Sequence, residues 1–215
     1  MRVLAIIPAR GGSKGVPRKN IKIFRGSPLI EWTINAAQKS ELIDEVILSS
    51  DDAEIISFAK QKNCKVPFVR TSDLSKDSTP SVNVVLDAIE RCPDFDWVIL
   101  LQPTSPLRNA SHIDEAITLC VKKKSMSCAS LTHVNQSPYW MFRLDDNELM
   151  RQVMPGVLPK RRQEIPPVYR LNGAIYIANV EWLKENKTFV TNSTIGYIMS
   201  NETSLDIDTE EDFNR

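Results

Sequence analysis

The sequence has few of the residues that usually build metal centres or disulfide frameworks. Among 215 residues there are only two histidines and four cysteines. The cysteines stand far apart and form no CxxC pair, at Cys64, Cys92, Cys120 and Cys128. A zinc site is therefore not expected, and the cysteines are expected to be buried thiols in a reducing compartment.

The chain also lacks net charge and long apolar runs. Lys plus Arg and Asp plus Glu number 27 each, so the formal net charge is zero. No overall basic field is available to attract nucleic acid or an acidic membrane surface, and any anion site must be local. The opening run "VLAII" is far shorter than the roughly 20 residues that a membrane helix needs. We therefore expect a cytoplasmic protein with no membrane or nucleic-acid partner.

What the sequence does have, in its first half, is apolar runs that alternate with amphipathic segments. "VLAIIP" precedes "PLIEWTINAAQKS", "EVILSS" precedes "DDAEIISFAKQKN", "VPFV" precedes "SVNVVLDAIERC", and "WVILLQP" precedes "NASHIDEAITLCVKKK". Such continuous runs, each followed by a helical segment, predict an α/β fold with a mostly parallel sheet buried on both faces. The length favours one domain over 1–215. We expect Ser50 or Asp51 to cap the second helix, and Asn109 or Ser111 the helix that contains Glu115.

This rhythm breaks near residue 135. The stretch from 135 to about 171, here called the arm, has five prolines, polar turn residues at 145–147 and no helical period, so it is predicted to be extended and β-rich. Tyr139, Trp140, Met141 and Phe142 cannot all be covered by a lone hairpin. We expect a second copy of the chain to cover them in a homodimer, or else the parent domain. Beyond the arm, "NGAIYIA", "VEWLKEN", "TIGYIMS" and "DTEEDFNR" predict a strand, a helix, a strand and a closing helical turn.

The exit of the first strand, "IIPARGGSKGVPRKN", combines three glycines with a high density of cations. Glycines let the backbone approach a ligand and turn N–H groups toward it, while Arg10, Lys14 and Lys19 bring positive charge to the same space. This combination suits a polyphosphate, although an ordinary surface turn is the alternative. The loop matches neither the P-loop nor the GxGxxG pattern, so the common ATPase and NAD(P) fingerprints are absent.

The same segment, read as "IIPARGGSKGVPRKNIK", resembles the N-terminal motif of the CMP-sialic acid synthetases, or acylneuraminate cytidylyltransferases. "SSDD", "LLQPTSPLR", "RRQEIPPVYRLNGAIYI" and "LDIDTEEDF" resemble further motifs of that family, in family order and across the chain. The resemblance implies a three-layer Rossmann-like nucleotidyltransferase fold with a dimerisation arm. It also implies a Mg²⁺-dependent enzyme that joins CTP to the anomeric hydroxyl of a nonulosonic acid, N-acetylneuraminic or legionaminic acid, and releases pyrophosphate. The alternatives are a cytidylyltransferase for pseudaminic acid or Kdo, or a non-catalytic nucleotide- or sugar-binding module of the same fold.

The resemblance further implies roles for individual residues. Those implied at the nucleotide are Arg10, Gly11, Gly12, Ser13, Lys14, Lys19, Asn20, Arg70 and Ser81. Those implied at the sugar acid are Gln102, Thr104, Ser105, Arg162, Arg170, Asn172 and Tyr176. Those implied to be catalytic are Arg10, Lys14, Lys19 and Asp208, which would stabilise charge on the phosphates. Ser81, Thr104 and Ser105 could instead cap helices or turns, and Tyr176 could instead belong to the core.

Asp206 and Asp208 lie two residues apart near the end of the sequence. On an extended segment both carboxylates project from one face, and such a pair suits Mg²⁺ shared with phosphate oxygens. The alternative is an acidic helix start that complements the helix dipole, an interpretation kept for Glu210 and Glu211. If the first assignment holds, the loop after the first strand and the aspartate pair must meet at one site.

Overall fold

The structure, a computed structural model, describes residues 1–13, 15–156, 161, 163 and 165–215. The strands seen in these residues are β1 (Val3–Pro8), β2 (Ile23–Phe24), β3 (Ser27–Pro28), β4 (Glu45–Ser49), β5 (Trp97–Leu100), β6 (Ser127–His133), β7 (Phe142–Leu144), β8 (Met150–Gln152), β9 (Tyr169–Asn179) and β10 (Ile195–Met199). The α-helices are α1 (Leu29–Gln38), α2 (Ala53–Gln61), α3 (Ser81–Arg91), α4 (Ala110–Lys122) and α5 (Val180–Asn186).

Six of these strands form the central sheet, in the spatial order β10–β6–β9–β5–β1–β4. β1 is parallel to both β4 and β5, and β10 is parallel to β6. β9 runs antiparallel to β5 and β6, between which it lies. The mostly parallel α/β sheet predicted from the apolar runs is confirmed. Because β9 is reversed, its first residues lie at the same edge of the sheet as the last residues of β5 and β6.

The sheet lies between two apolar layers, which gives the three-layer architecture. On one face, residues such as Ile34 of α1 and Ile113 of α4 pack in one buried cluster. On the other face, Val85 of α3 and Leu183 of α5 belong to a second cluster. Burial on both faces explains why the strands are apolar throughout rather than alternating.

The helix starts follow the sequence predictions only in part. Asn109 caps α4 in a reciprocal capping box with His112, as expected. Asp52, rather than Ser50 or Asp51, caps α2 by accepting the backbone N–H groups of Glu54 and Ile55. The run "VPFV" forms no strand; its neighbour Lys65 makes only an isolated bridge to Ile47.

The arm contains an antiparallel hairpin formed by β7 and β8. Asp145 closes its turn by accepting the backbone N–H groups of Asn147 and Leu149, both at 3.0 Å, as the polar residues at 145–147 predict. Within the described part of the chain, this hairpin pairs with no third strand. None of the described helices combines the length and apolar character needed to span a membrane. All four cysteines are free thiols, three of them buried and Cys92 half-buried.

Candidate active site

A cleft of about 700 Å³ opens at the edge of the sheet where β1 and β5 end. In α/β sheets, ligands bind at the carboxyl ends of the strands, which is where this cleft lies. Ten of the predicted site residues line it: Arg10, Ser13, Lys19, Asn20, Arg70, Ser81, Gln102, Thr104, Asp206 and Asp208. Residues from both ends of the chain therefore share one cavity.

The loop after β1 (residues 9–18, here called the first loop) leads into Lys19, which contacts the last described segment (residues 205–215, here called the tail). The Lys19 ammonium donates to the Ile207 carbonyl at 2.8 Å and to Asp208 Oδ1 at 3.1 Å. A β-carbon at Gly15 would lie 2.7 Å from the Asp208 carbonyl oxygen, so this close approach requires glycine. The predicted convergence of the first loop with the aspartate pair is confirmed.

Asp206 is the least satisfied carboxylate of the cleft. Its Oδ1 is buried and accepts no hydrogen bond from the described residues. Burial raises the pKa of Asp206, the nearby charge of Asp208 raises it further, and a hydrogen bond with Thr104 lowers it. A carboxylate oxygen without a donor, beside a second carboxylate, fits a hard cation such as Mg²⁺.

Two arginines, Arg10 and Arg70, line the same cleft as this acidic pair. Arg10 pairs with Asp77. Arg70 is 5% exposed, donates through Nε to Ser75 Oγ at 3.2 Å, and lies 3.5 Å from Asp51 Oδ1. Burial lowers the pKa of Arg70, and the charge of Asp51 opposes this effect. Cations and carboxylates that line the same cleft can together neutralise a polyphosphate that carries a divalent cation.

Gln102 and Thr104 follow β5 and reach the cleft, where Gly173 makes room beside them. Gly173 has a φ of +76°, and a β-carbon there would lie 3.0 Å from Gln102 Oε1 and 3.9 Å from Asp206 Oδ2. The glycine thus places β9 against the glutamine and the aspartate. Ser105, by contrast, is fully buried and does not line the cleft, so the geometry does not support its predicted contact with a substrate.

Asn172, predicted at the sugar acid, is also held in the interior and does not line the cleft. It is 2% exposed, accepts from Ser130 Oγ at 2.5 Å and donates to Ser204 Oγ at 2.9 Å. The register of β9 on β6 shifts between residues 129 and 131, so strict alternation of faces along β9 fails here. Asn172 therefore supports the strand.

Arg170 and Tyr176 lie near Asp206 without lining the cleft. The charge of Arg170 lowers the pKa of Asp206, whereas burial and then the charge of Asp206 raise the pKa of Tyr176. The Tyr176 ring packs against Phe189, with 5.7 Å between ring centroids. Arg170 is thus close enough to affect the charge of Asp206, and Tyr176 is close enough to be affected by it.

Two other predicted residues of the site do not line the cleft. Gly11 and Gly12 belong to the first loop but not to the cleft lining. The Gly11 N–H donates to Asp51 Oδ1 at 3.2 Å, so this N–H points toward the segment between β4 and α2. Lys14 and Arg162 lie outside the described residues.

Sequence reasoning missed several groups that the fold brings to the cleft. Lys76, Asp77 and Thr79 line it from the segment between Arg70 and α3. In the sequence, the only indication was that they lie between Arg70 and Ser81, in the stretch "RTSDLSKDSTPS". Arg108, which the sequence also places in the loop after β5, does not line the cleft. It is buried and donates to the carbonyls of Gln102 and Ala174 at 3.2 and 3.1 Å, which fixes the loop after β5 to β9. Burial lowers the pKa of Arg108 to about 9.

Three named relatives are similar to nearly the whole chain. A CMP-N,N'-diacetyllegionaminic acid synthase from Legionella pneumophila is 35% identical over 99% of this chain and 94% of its own length. A pseudaminic acid cytidylyltransferase from Campylobacter jejuni is 36% identical over 99% of this chain and 93% of its own length. An N-acylneuraminate cytidylyltransferase from Streptococcus agalactiae is 35% identical over 99% of this chain, which spans about half (52%) of that relative.

The fold comparison agrees with the sequence comparison. A CMP:2-keto-3-deoxy-manno-octonic acid synthetase, solved in complex with CTP, superposes with a TM-score of 0.75 at 14% identity, over 98% of this chain and 95% of that one. This likeness shows the shared fold. The sequence profile of the cytidylyltransferases matches residues 4–212. With a nucleotidyltransferase-type sheet and full-length similarity to named synthases, the chain belongs to the cytidylyltransferase family.

Proposed function

We propose that this cytidylyltransferase transfers CMP from CTP to the anomeric hydroxyl of a nonulosonic acid, N-acetylneuraminic or legionaminic acid, and releases pyrophosphate with the help of Mg²⁺. One observation carries the proposal. Lys19 contacts Asp208 and the Ile207 carbonyl in the cleft that also contains Arg10 and Arg70. Such a cleft suits a nucleoside triphosphate whose α-phosphate is attacked by a hydroxyl group.

The electrostatic demand of this reaction matches the chain's own groups. Negative charge builds on the phosphate oxygens when the sugar hydroxyl attacks and pyrophosphate leaves. Lys19, Arg10 and Arg70 would bind the triphosphate and offset that charge. The side chain of Arg70 is 3% exposed, which strengthens its interaction with a bound anion because little water competes for it.

Asp206 and Asp208 would hold the Mg²⁺. Bound there, the ion would act as a Lewis acid on the phosphate oxygens. Among the described residues, no three His, Cys, Asp or Glu side chains cluster as a complete cation site. Two carboxylates with triphosphate oxygens and water would complete the octahedral shell that Mg²⁺ prefers. The free Asp206 Oδ1 supports this assignment.

The sugar acid would lie beside Gln102 and Gly173, next to the metal aspartates. Arg170 is exposed at the start of β9 and lies near Asp206. Its guanidinium can pair with a carboxylate through two hydrogen bonds. Tyr176 would lie at the same end of the cleft. The carboxylate that lies next to the anomeric carbon of the acid would thus pair with Arg170 near the reacting hydroxyl.

A pyrophosphate-release screen tests this proposal. The protein would be incubated with CTP, Mg²⁺ and, in separate reactions, N-acetylneuraminic, legionaminic, pseudaminic and Kdo acids. We expect release with N-acetylneuraminic or legionaminic acid, and no release when the other three nucleoside triphosphates replace CTP. Release with none of the four acids, despite binding of CTP, would support a non-catalytic binding module and contradict the proposal.

We further propose that the protein is a homodimer joined through the arm. Both strands of the β7–β8 hairpin expose large apolar side chains: Leu144 is 67% exposed and Met150 is 62% exposed. These two residues face each other in the hairpin register. Isolated two-stranded hairpins are marginally stable in water, so a cover from a second copy would stabilise this one.

Light scattering after size exclusion tests the dimer. The wild type is expected to have the mass of two chains, and Leu144→Lys combined with Met150→Lys is expected to have the mass of one, because two charges would have to be buried at the interface. Val121→Lys, at a 50% exposed valine on α4, is the matched control and should stay dimeric. A wild type with the mass of a single chain would contradict the arm's role.

A further inference from the structure

The "SSDD" motif (residues 49–52) does not line the cleft. Its Asp51 lies 3.5 Å from Arg70, which does line it. Asp51 and Asp52 lie between β4 and α2. Each of them contacts that loop. Asp51 Oδ1 accepts the Gly11 N–H at 3.2 Å, and Asp52 forms an ion pair with Arg18.

The ion pair at Arg18 has two acidic partners. Arg18 donates through Nη1 to Asp52 Oδ2, through Nη2 to Asp52 Oδ1 at 3.3 Å, and through Nη2 to Glu54. The guanidinium therefore binds two carboxylates at the start of α2, that of the N-cap Asp52 and that of Glu54 in the first turn. Its hydrogen bonds lower the pKa of Asp52, so Asp52 is ionised at neutral pH.

The backbone on both sides of this contact is constrained. Arg18 has a φ of +56°, in the left-handed region that residues with a β-carbon rarely occupy. A β-carbon at Gly11 would lie 2.5 Å from Asp52 Oδ2, so the loop backbone packs directly on the aspartate. A strained residue persists where its surroundings fix it, and such residues cluster at functional sites. Arg18 immediately precedes Lys19, the cation that contacts the metal aspartate.

We propose that Arg18, Asp51 and Asp52 form a latch that positions the first loop for the nucleotide without touching the nucleotide themselves. Asp52 joins the loop to α2 through Arg18. Asp51 joins the Gly11 N–H to Arg70, 3.5 Å away in the cleft. The latch sets the distance between Lys19 and Arg70, which approach the triphosphate from different elements. This inference rests on the proposed binding of CTP.

A double-mutant cycle between Arg18 and Asp52 tests the latch. Arg18→Met removes the charge, and Asp52→Asn removes the ion pair while its amide oxygen can still cap α2. Calorimetry of CTP binding with Mg²⁺ is expected to show roughly tenfold weaker binding for each variant, and no further loss for the double variant, because both remove one contact network. Arg18→Lys, which can hold one carboxylate but not the fork, should fall between wild type and Arg18→Met.

Two further measurements separate positioning from general stability. Amide exchange over residues 9–20, without nucleotide, should quicken in Arg18→Met and Asp52→Asn. In turnover assays the KM for CTP should rise, while the KM for the sugar acid stays near the wild-type value. Lys184→Met is the matched control, because Lys184 pairs with Glu181 on α5, which follows the far end of β9.

The outcomes distinguish this inference from the proposed function. If Asp52→Asn binds CTP as well as the wild type while Arg18→Met does not, Arg18 contacts the phosphates directly and the latch is wrong. Additive losses in the double variant would also overturn it. If Asp52→Asn proves unstable, Glu54→Gln, which removes one partner of Arg18 and leaves the cap, replaces it in the cycle. Binding of CTP by the wild type without pyrophosphate release overturns only the proposed function, and no binding of CTP overturns both.

Discussion

Lys19→Met is expected to lower turnover by a factor on the order of 100 or more, the size observed when one electrostatic contact to a developing anion is removed. The Lys19 side chain is 14% exposed and contacts Asp208, so its charge acts in a partly dehydrated place between the first loop and the tail. Pyrophosphate release under saturating CTP, sugar acid and Mg²⁺ measures the effect.

Lys22→Met is the matched control for this variant. Lys22 lies three residues further on, pairs with Glu210 and does not line the cleft, so its loss should leave turnover near the wild-type value. Because Lys19 also donates to the Ile207 carbonyl, thermal unfolding of both variants should accompany the assay. Wild-type turnover in Lys19→Met would show that this lysine has no part in the chemistry.

Asp208→Asn is expected to raise the Mg²⁺ concentration for half-maximal rate by a factor on the order of ten or more. Replacement of groups that merely support a metal ligand already costs about 10 to 100 in affinity or activity, and a direct ligand should cost at least as much. The amide keeps the shape of the carboxylate but removes its charge. A titration of rate against Mg²⁺, with CTP held constant, measures the shift.

Glu211→Gln controls for the general loss of negative charge from the tail. Glu211 is exposed in the closing turn of 3-10 helix, Glu211–Asn214, and does not line the cleft. Its variant should titrate with Mg²⁺ like the wild type. If Asp208→Asn also titrates like the wild type, Asp208 is not a metal ligand and its role is limited to the ion pair with Lys19.

The sheet was predictable from sequence because burial on both faces leaves an unmistakable pattern. Leu4, Ile6 and Ile7 of β1 are fully buried on either side, so the run is apolar throughout. The direction of β9 was not predictable in the same way. A strand that is buried on both faces is apolar whether its neighbours run parallel or antiparallel to it. The apolar pattern alone therefore does not give the direction of β9.

The site was predictable as a set of motifs and less so as a set of side-chain directions. The strand pattern placed Asn172 and Tyr176 on one face, but Gly173 lies between them in a left-handed conformation and the alternation is lost. Ser50 or Asp51 was the expected cap of α2. Asp52 takes that role, since the helix begins one residue later, and Asp51 is left to bind the loop.

The contact between Lys19 and Ile207 joins residues that are 188 positions apart in the chain. A nascent polypeptide that has emerged through residue 200 already contains every strand of the sheet, yet it lacks both carboxylates. During synthesis on the ribosome, the six strands of the central sheet therefore emerge before the two carboxylates that we propose to hold Mg²⁺. The framework of the site is thus available before those carboxylates join it.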